Sequence, residues 1–158
     1  MKVFVIARVA RMWQNVYANS DTVARIDLLL VDADGSAMQA VIPNGILRWF
    51  FERISEGGVY KILRFDTVEC KLYFVVIPST YIIYFSTTTH VEEVLESVHM
   101  YSRYFFRFAS FEEICLRGDK EPVLTDVIGV LTHVGEKSTV ERSSGHGKVD
   151  KIDIIFKL

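Results

Sequence analysis

The stretch ARIDLLLVDADGSAMQAVIPNGILRWFFERISEGGVYKILRF, which spans residues 24–65, decides the fold of this chain. Its first part, residues 24–32, places apolar side chains at every second position, which is the pattern of a half-buried strand. Residues 32–35 predict a turn, because Asp accepts hydrogen bonds from nearby backbone and Gly adopts a positive φ. Residues 36–42 return as a second strand, so the sequence predicts a β-hairpin.

The remainder of the stretch predicts a helix and then further strands. Residues 44–54 carry apolar side chains at helical spacing, and the glycine pair at 57–58 ends the helix. Residues 59–66 are the next predicted strand. Beyond it, residues 72–77 and 81–86 are predicted to form a strand pair.

Upstream of the hairpin, residues 2–13 predict a long first strand and residues 14–22 a polar loop. The predicted order is three strands, a helix, a strand and a strand pair. This is the order of a five-stranded OB-fold barrel with its helix between strands 3 and 4. We therefore expect an all-β protein.

The chain also repeats its opening pattern. VIARV at residues 5–9 leads across a polar loop to RIDLL at residues 25–29, and VIGVL at residues 127–131 leads across another to KIDII at residues 151–155. Repeated supersecondary units of this kind indicate two related modules. The second module is predicted to be a partial OB-like β-hairpin.

We expect an OB-fold domain over residues 1–100, a connector over residues 101–122, and the first two strands of a second module over residues 123–158. Thr89, followed three residues later by Glu, resembles a capping box, so a short helix is predicted over residues 91–98.

Composition agrees with a folded domain that carries no basic field. The chain has 158 residues, of which 50% are hydrophobic and 24% charged, enough apolar material for a core. The formal net charge is -2, so no overall positive potential attracts nucleic acid. Arg8 and Arg11 interrupt the apolar start, which argues against a signal peptide. The apolar runs are too short for a transmembrane helix, so no membrane partner is predicted.

Other chemistry finds little support in the sequence. The cysteines, Cys70 and Cys115, and the histidines lack paired metal-ligand spacing. No glycine-rich phosphate loop with its lysine is present. The adjacent pairs Glu92-Glu93 and Glu112-Glu113 would point apart on a helix, so neither fits a catalytic acid/base couple. We expect no catalysis, no metal and no cofactor, and we expect both cysteines to be reduced thiols of an intracellular protein.

Several short motifs in order resemble the tandem OB domains of the replication protein A large subunit, especially plant forms and their relatives. They are Ala7-Arg8-Val9, Leu30-Val31-Asp32 before the Asp34-Gly35 turn, Phe50-Phe51, Gly58-Val59-Tyr60 and the stretch from Leu124 to Val130. The resemblance implies single-stranded DNA binding in the nucleus, without catalysis, and other replication protein A-type subunits as partners.

Single-strand binders stack bases on aromatic side chains and lead the phosphates along a basic groove. In OB-folds the platform is the face of strands 2 and 3 with the loops after strands 1 and 4. The resemblance implies that Phe74 stacks a base and that an arginine near Arg11 contacts the DNA. The candidate nucleic-acid-binding residues are Arg11, Trp13, Tyr17, Arg25, Gln39, Lys71, Tyr73 and Phe74.

Some of these residues have an equally good structural interpretation. Trp13 ends an apolar strand and fits barrel closure as well as stacking, and Phe74 fits the core as well as the platform. Arg25 and Gln39 are predicted on the outward faces of strands 2 and 3.

Two features favour an alternative function, a protein–protein adaptor on an OB scaffold with weak or no nucleic-acid binding. Pro43 stands where the family has a second stacking aromatic, and Asp27 places negative charge on the predicted binding face. The C-terminal hairpin adds another open question, because the apolar face of Ile152, Ile154 and Phe156 needs a cover. We expect it to pack on the first barrel or to pair with its copy in a homodimer.

Overall fold

The computed structural model describes residues 3–17, 21–71, 75–118, 123–141 and 147–157. The described residues form two compact units. The first runs to Phe106 and includes Val123 and Leu124, and the second takes the described residues from Arg107 onward except those two. No helix in this described part is both long and apolar enough to cross a membrane.

The first unit is a curled, seven-stranded sheet with one short helix. Its strands are β1 (Phe4–Val16), β2 (Val23–Val31), β3 (Ala37–Pro43), β4 (Val59–Leu63), β5 (Asp66–Glu69), β6 (Tyr81–Tyr84) and β7 (His90–Glu93). The predicted helix after β3 is a 3-10 turn, Asn44–Ile46, that leads into α1, Leu47–Phe50. The predicted all-β order with a helix after the third strand is confirmed.

The order across the sheet is β5-β6-β3-β2-β1-β4-β7. All neighbours are antiparallel except β3 and β6, which are parallel. The long β1 pairs with β4 through its first half and with β2 through its second. Only Arg64 and Phe65 separate β4 from β5, and Arg64 makes the bend in a left-handed conformation with φ 54°. One continuous segment, β4 and β5, thus supplies a strand near one end of the sheet and the strand at the other end. The sheet therefore curls toward a barrel.

The inner face of the curled sheet forms the main core. Alternate residues of β2 lie in this core, namely Ile26, Leu28 and Leu30. Residues of β1, β3, β4, β6 and β7 complete it. Phe50 of α1 packs edge-on against Phe85 with ring centroids 5.2 Å apart. Each large apolar side chain that is fully buried in this way contributes about 1.5–3 kcal/mol.

The short helix predicted over residues 91–98 is wrong, because His90–Glu93 form β7 instead. Val91 is opposite Ile62 of β4 and is buried in the main core. The Thr89 hydroxyl does not cap a helix. It donates to the carbonyl oxygen of Arg64 at 3.2 Å and accepts from the backbone N–H of Ser86 at 2.9 Å.

The strand pair predicted over residues 72–77 and 81–86 is also wrong in its first member. The partner of β6 is β5, four residues that directly follow the bend at Arg64. Residues 72–74 lie outside the described part of the chain. Val75 makes a single parallel bridge to Val123, and Val76 and Ile77 pack on the outer face of the sheet.

The second unit contains a bent hairpin and a short helix. Its strands are β8 (Val130–Val134), β9 (Ser138–Glu141), β10 (Lys148–Lys151) and β11 (Ile154–Lys157), with β8 paired to β11 and β9 to β10. The helix α2, Phe111–Cys115, follows the N-cap residue Ser110, whose hydroxyl accepts a hydrogen bond from the backbone N–H of Glu113. A paired hairpin is present, but its first strand begins at Val130 and not at residue 123, and its interpretation as the start of a second OB-like module stays a prediction.

Candidate nucleic-acid interface

The outer face of β2 and β3 is the predicted platform, and its centre is covered. Leu29 and Val31 of β2 are buried with Ala10 of β1 in a second apolar cluster. Five half-buried side chains pack on that cluster: Trp13, Ala37, Val76, Ile77 and Phe105. The outer face is therefore accessible mainly at its margins.

Gln39 was predicted on the outward face of β3 as a nucleic-acid contact; it lies on that face but is buried there, and its role in binding stays a prediction. It is only 1% exposed. Its Oε1 accepts a hydrogen bond from the backbone N–H of Val76 at 3.2 Å, while its Nε2 has no partner among the described residues. Gln39 thus holds the covering segment against β3.

A cleft at one margin of this face brings two predicted cations together. Arg25 of β2 and Lys71, which follows β5, line a cavity of about 230 Å³, which we call the Arg25 cleft. The other lining residues are Ala24, Val41, Pro43, Val68, Glu69, Ile82 and Tyr84. Lys71 is well exposed, with Nζ 3.8 Å from the carboxylate of Glu69. Pro43, which stands in place of the family's aromatic, lies in the same wall.

Arg25 is held by the buried carboxylate of Asp27. The side chain of Asp27 is 2% exposed, and Arg25 Nε donates to both of its oxygens at 3.1 and 3.2 Å. The Asn15 amide donates to the same carboxylate. Burial raises the pKa of Asp27, and the positive charge of Arg25 with the hydrogen bonds from Arg25 and Asn15 only partly offsets this.

A second cleft, of about 320 Å³, surrounds Arg11, and we call it the Arg11 cleft. It is lined by Ala10, Arg11, Glu56, Gly57, Arg103 and Tyr104. The Arg11 guanidinium lies 3.6 Å from the Glu56 carboxylate, whose other oxygen accepts from the backbone N–H of Met12 at 2.8 Å. Along β2, the residue opposite Arg11 is Leu29, about 13 Å from Arg25 at the usual rise per residue of a strand.

The predicted aromatic residues have different positions. Trp13 is half-buried and packs on the second cluster, outside the main core, and its predicted role as a stacking residue stays a prediction. Tyr17 is exposed, and its backbone N–H donates to Thr22 to close the β1–β2 loop. Tyr73 and Phe74 lie outside the described residues, so their predicted role as stacking residues stays a prediction.

Sequence reasoning did not place Arg103 and Tyr104 in the interface. The run of aromatic and basic residues that contains them was visible in the connector. Its contact with the outer face of β1 and β2 depends on chain packing across a long sequence separation, which no periodicity reports.

Electrostatically, the margins are balanced and not basic. Arg11, Arg25 and Lys71 each have a carboxylate within 4 Å, from Glu56, Asp27 and Glu69 respectively. An anionic ligand would have to compete with these carboxylates. Among the described residues, no group of three or more His, Cys, Asp or Glu side chains is placed to hold a metal ion.

A curled sheet in this strand order, with a helix after β3 and clefts beside the β2–β3 face, defines an OB-fold protein. The chain belongs to the family described as "Domain of unknown function DUF223", whose profile matches residues 3–116.

Two curated relatives come from Arabidopsis thaliana, and both are named as 70 kDa DNA-binding subunits of replication protein A. The chain is 27% identical to one of them and 26% identical to the other, in each case over 125 residues. Each match covers 79% of this chain and 20% of the relative, so the chain spans about a fifth of their length. The resemblance to plant large subunits of replication protein A is confirmed.

A solved structure shares the fold. The chain matches "Structure and Conformational Change of a Replication Protein A Heterotrimer Bound to ssDNA" with a TM-score of 0.59 and 21% identity. The match covers 98% of this chain and 35% of that one.

Proposed function

We propose that this chain binds single-stranded DNA, without catalysis, through the clefts beside its β2–β3 face. The observation that carries the proposal is the Arg25 cleft. Arg25 and Lys71 were predicted separately from the sequence, and they line one cavity on the face that OB-folds use. The relatives named as DNA-binding subunits support the same function.

In this mechanism the phosphates replace carboxylates as partners of the cations. Of Arg11, Arg25 and Lys71, Lys71 is the most accessible. It exchanges Glu69 for a phosphate at little cost. Arg25 is more constrained, because its departure leaves Asp27 buried without a counter-charge. Bases stack on aromatic side chains of the flanking loops, for which Tyr17, Tyr73 and Phe74 are the proposed residues.

The proposal extends to the cellular setting. The relatives of this chain are named as replication protein A subunits. Their names support a nuclear location and other replication protein A-type subunits as partners. Roles in DNA replication, repair or recombination follow from this setting.

A charge reversal in the Arg25 cleft tests the proposal. Lys71→Glu should weaken binding of a labelled oligo-dT by roughly tenfold, because it removes one charge-assisted phosphate contact and adds repulsion. Fluorescence anisotropy at low salt measures the change. Lys61→Glu is the matched control, since Lys61 also lies near a carboxylate, that of Glu92 at 3.9 Å, but outside both clefts. Equal binding by the two variants would contradict the proposed cleft.

A second proposal, self-association, rests on the second unit and is separate from the adaptor alternative. In its hairpin, Leu131 of β8 and Ile154 and Phe156 of β11 are exposed apolar residues. We propose that this face pairs with its copy in a homodimer, which covers it by a symmetric contact. Light scattering at micromolar concentration tests this by measuring the mass of the wild type and of Phe156→Ser. A dimer mass for the wild type that falls to a monomer mass in the variant supports the proposal. A monomer mass for both overturns it.

A further inference from the structure

The connector carries three successive aromatic residues across the outer face of the first unit. Phe105 is half-buried and packs on the cluster of Ala10, Leu29 and Val31. The side chains on either side of it remain accessible: Tyr104 is 56% and Phe106 is 51% exposed. Exposure therefore alternates along the segment, with Phe105 covered and the rings on either side of it accessible.

Tyr104 and Phe106 are aligned with each other. Their ring centroids are 6.3 Å apart and their planes 21° apart, which is a stacked arrangement. The Arg103 guanidinium lies 5.6 Å from the Tyr104 ring centroid, within cation–π range. The result is a short row of π-faces with a cation at one end.

The segment leading to this row is fixed to the sheet. Arg8 Nε donates to the carbonyl oxygen of Tyr101 at 3.1 Å, and the same guanidinium also donates to the carbonyls of Val98 and Gly57. The Ser102 hydroxyl donates to the Tyr104 carbonyl at 2.6 Å. The aromatic row is thus held in place before any ligand arrives, which lowers the entropy lost on binding.

We propose that Tyr104 and Phe106 form a stacking platform for bases of single-stranded DNA, and that Arg103 and Arg11 contact the adjacent phosphates. The charge beside the platform selects this ligand, since two arginines line the Arg11 cleft together with a single acidic residue, Glu56. A purely apolar partner would pair with neither guanidinium, and among the described contacts only Arg11 has a carboxylate beside it, that of Glu56. The platform replaces the covered centre of the β2–β3 face, and it rests on the proposed DNA binding.

Alanine substitutions test the platform in the full chain. Tyr104→Ala and Phe106→Ala should each weaken binding of oligo-dT by about fivefold to about a hundredfold, the range for loss of one stacked base. Tyr104→Trp should retain binding, because it restores a π-face. Trp49→Ala is the control, since Trp49 has the same chemistry, with Arg48 5.5 Å from its ring centroid, but lies on α1 away from the clefts.

Photo-cross-linking separates stacking from a structural effect. Oligo-dT substituted with 5-iododeoxyuridine should attach to Tyr104 or Phe106 in the wild-type chain. Adducts found only elsewhere, or alanine variants that bind like wild type while Lys71→Glu weakens binding, would overturn the platform and leave the proposed function standing. A wild-type chain that binds no oligo-dT would overturn both.

Discussion

At the scale of single residues, the proposed interface depends on Arg25 and Asp27. Asp27 is almost completely buried, and it is the only partner that the described contacts give to the Arg25 side chain. An ionised buried carboxylate destabilises the fold, and its paired guanidinium limits that effect. The same guanidinium is the proposed phosphate ligand, so stability and binding make opposing demands on it.

The raised pKa of Asp27 predicts a pH-dependent difference between the wild type and Asp27→Asn. The folded protein holds this proton to a higher pH than the unfolded chain, whose Asp has the ordinary value of 3.8. The stability that this group contributes is therefore fully present below pH 3.8 and is lost as pH rises through the raised value. Relative to wild type, the variant should gain stability with rising pH across that window in urea titrations. A relative stability that declines there would contradict the raised pKa.

The sequence predicted which cations line the candidate clefts, but it did not predict how much of the β2–β3 face is covered. Alternation along β2 and β3 placed Arg25 correctly outside the main core. It also placed Gln39 on the outer face, but it could not show that Val76, Ile77 and Phe105 cover that face. Those residues come from distant parts of the chain, so only the folded structure reveals the cover.

At the scale of elements, tertiary pairing overrides local signals around β7. The Thr-x-x-Glu pattern beginning at Thr89 favours a helix start, yet the segment pairs with β4 and buries Val91. Strand pairing therefore outweighs the local preference. The strands β2 and β3 were predicted almost to the residue, because the turn at residues 32–35 fixes where they meet and the alternating residues Ile26, Leu28 and Leu30 mark the inner face.

Thr89 connects this element to the bend between β4 and β5, and its removal should be costly. Thr89→Val keeps the shape but leaves the Ser86 N–H and the Arg64 carbonyl without the hydroxyl partner they now have. We expect a loss of about 1–3 kcal/mol in the free energy of unfolding, measured with urea. Thr88→Val is the matched control, because Thr88 is exposed and its hydroxyl lies 3.4 Å from the same carbonyl. If both variants lost the same amount, the bend would not depend on Thr89.

At the scale of the whole molecule, net charge limits the proposed DNA binding. The formal net charge is -2, and the three predicted cations that are described each lie near a carboxylate. Long-range attraction therefore contributes little, and the proposed binding depends on a few local phosphate contacts together with stacking. This predicts weaker and less salt-sensitive binding than a strongly basic protein shows.

The most direct test of this account is a titration of labelled oligo-dT with the full chain at several salt concentrations. Three or four phosphate contacts predict a slope between about -2 and -3 for log affinity against log salt, at about 0.7 per contact. The account predicts saturable binding at micromolar protein in low salt with a slope in that range. No binding at tens of micromolar protein in low salt, or binding that does not change with salt, would contradict it.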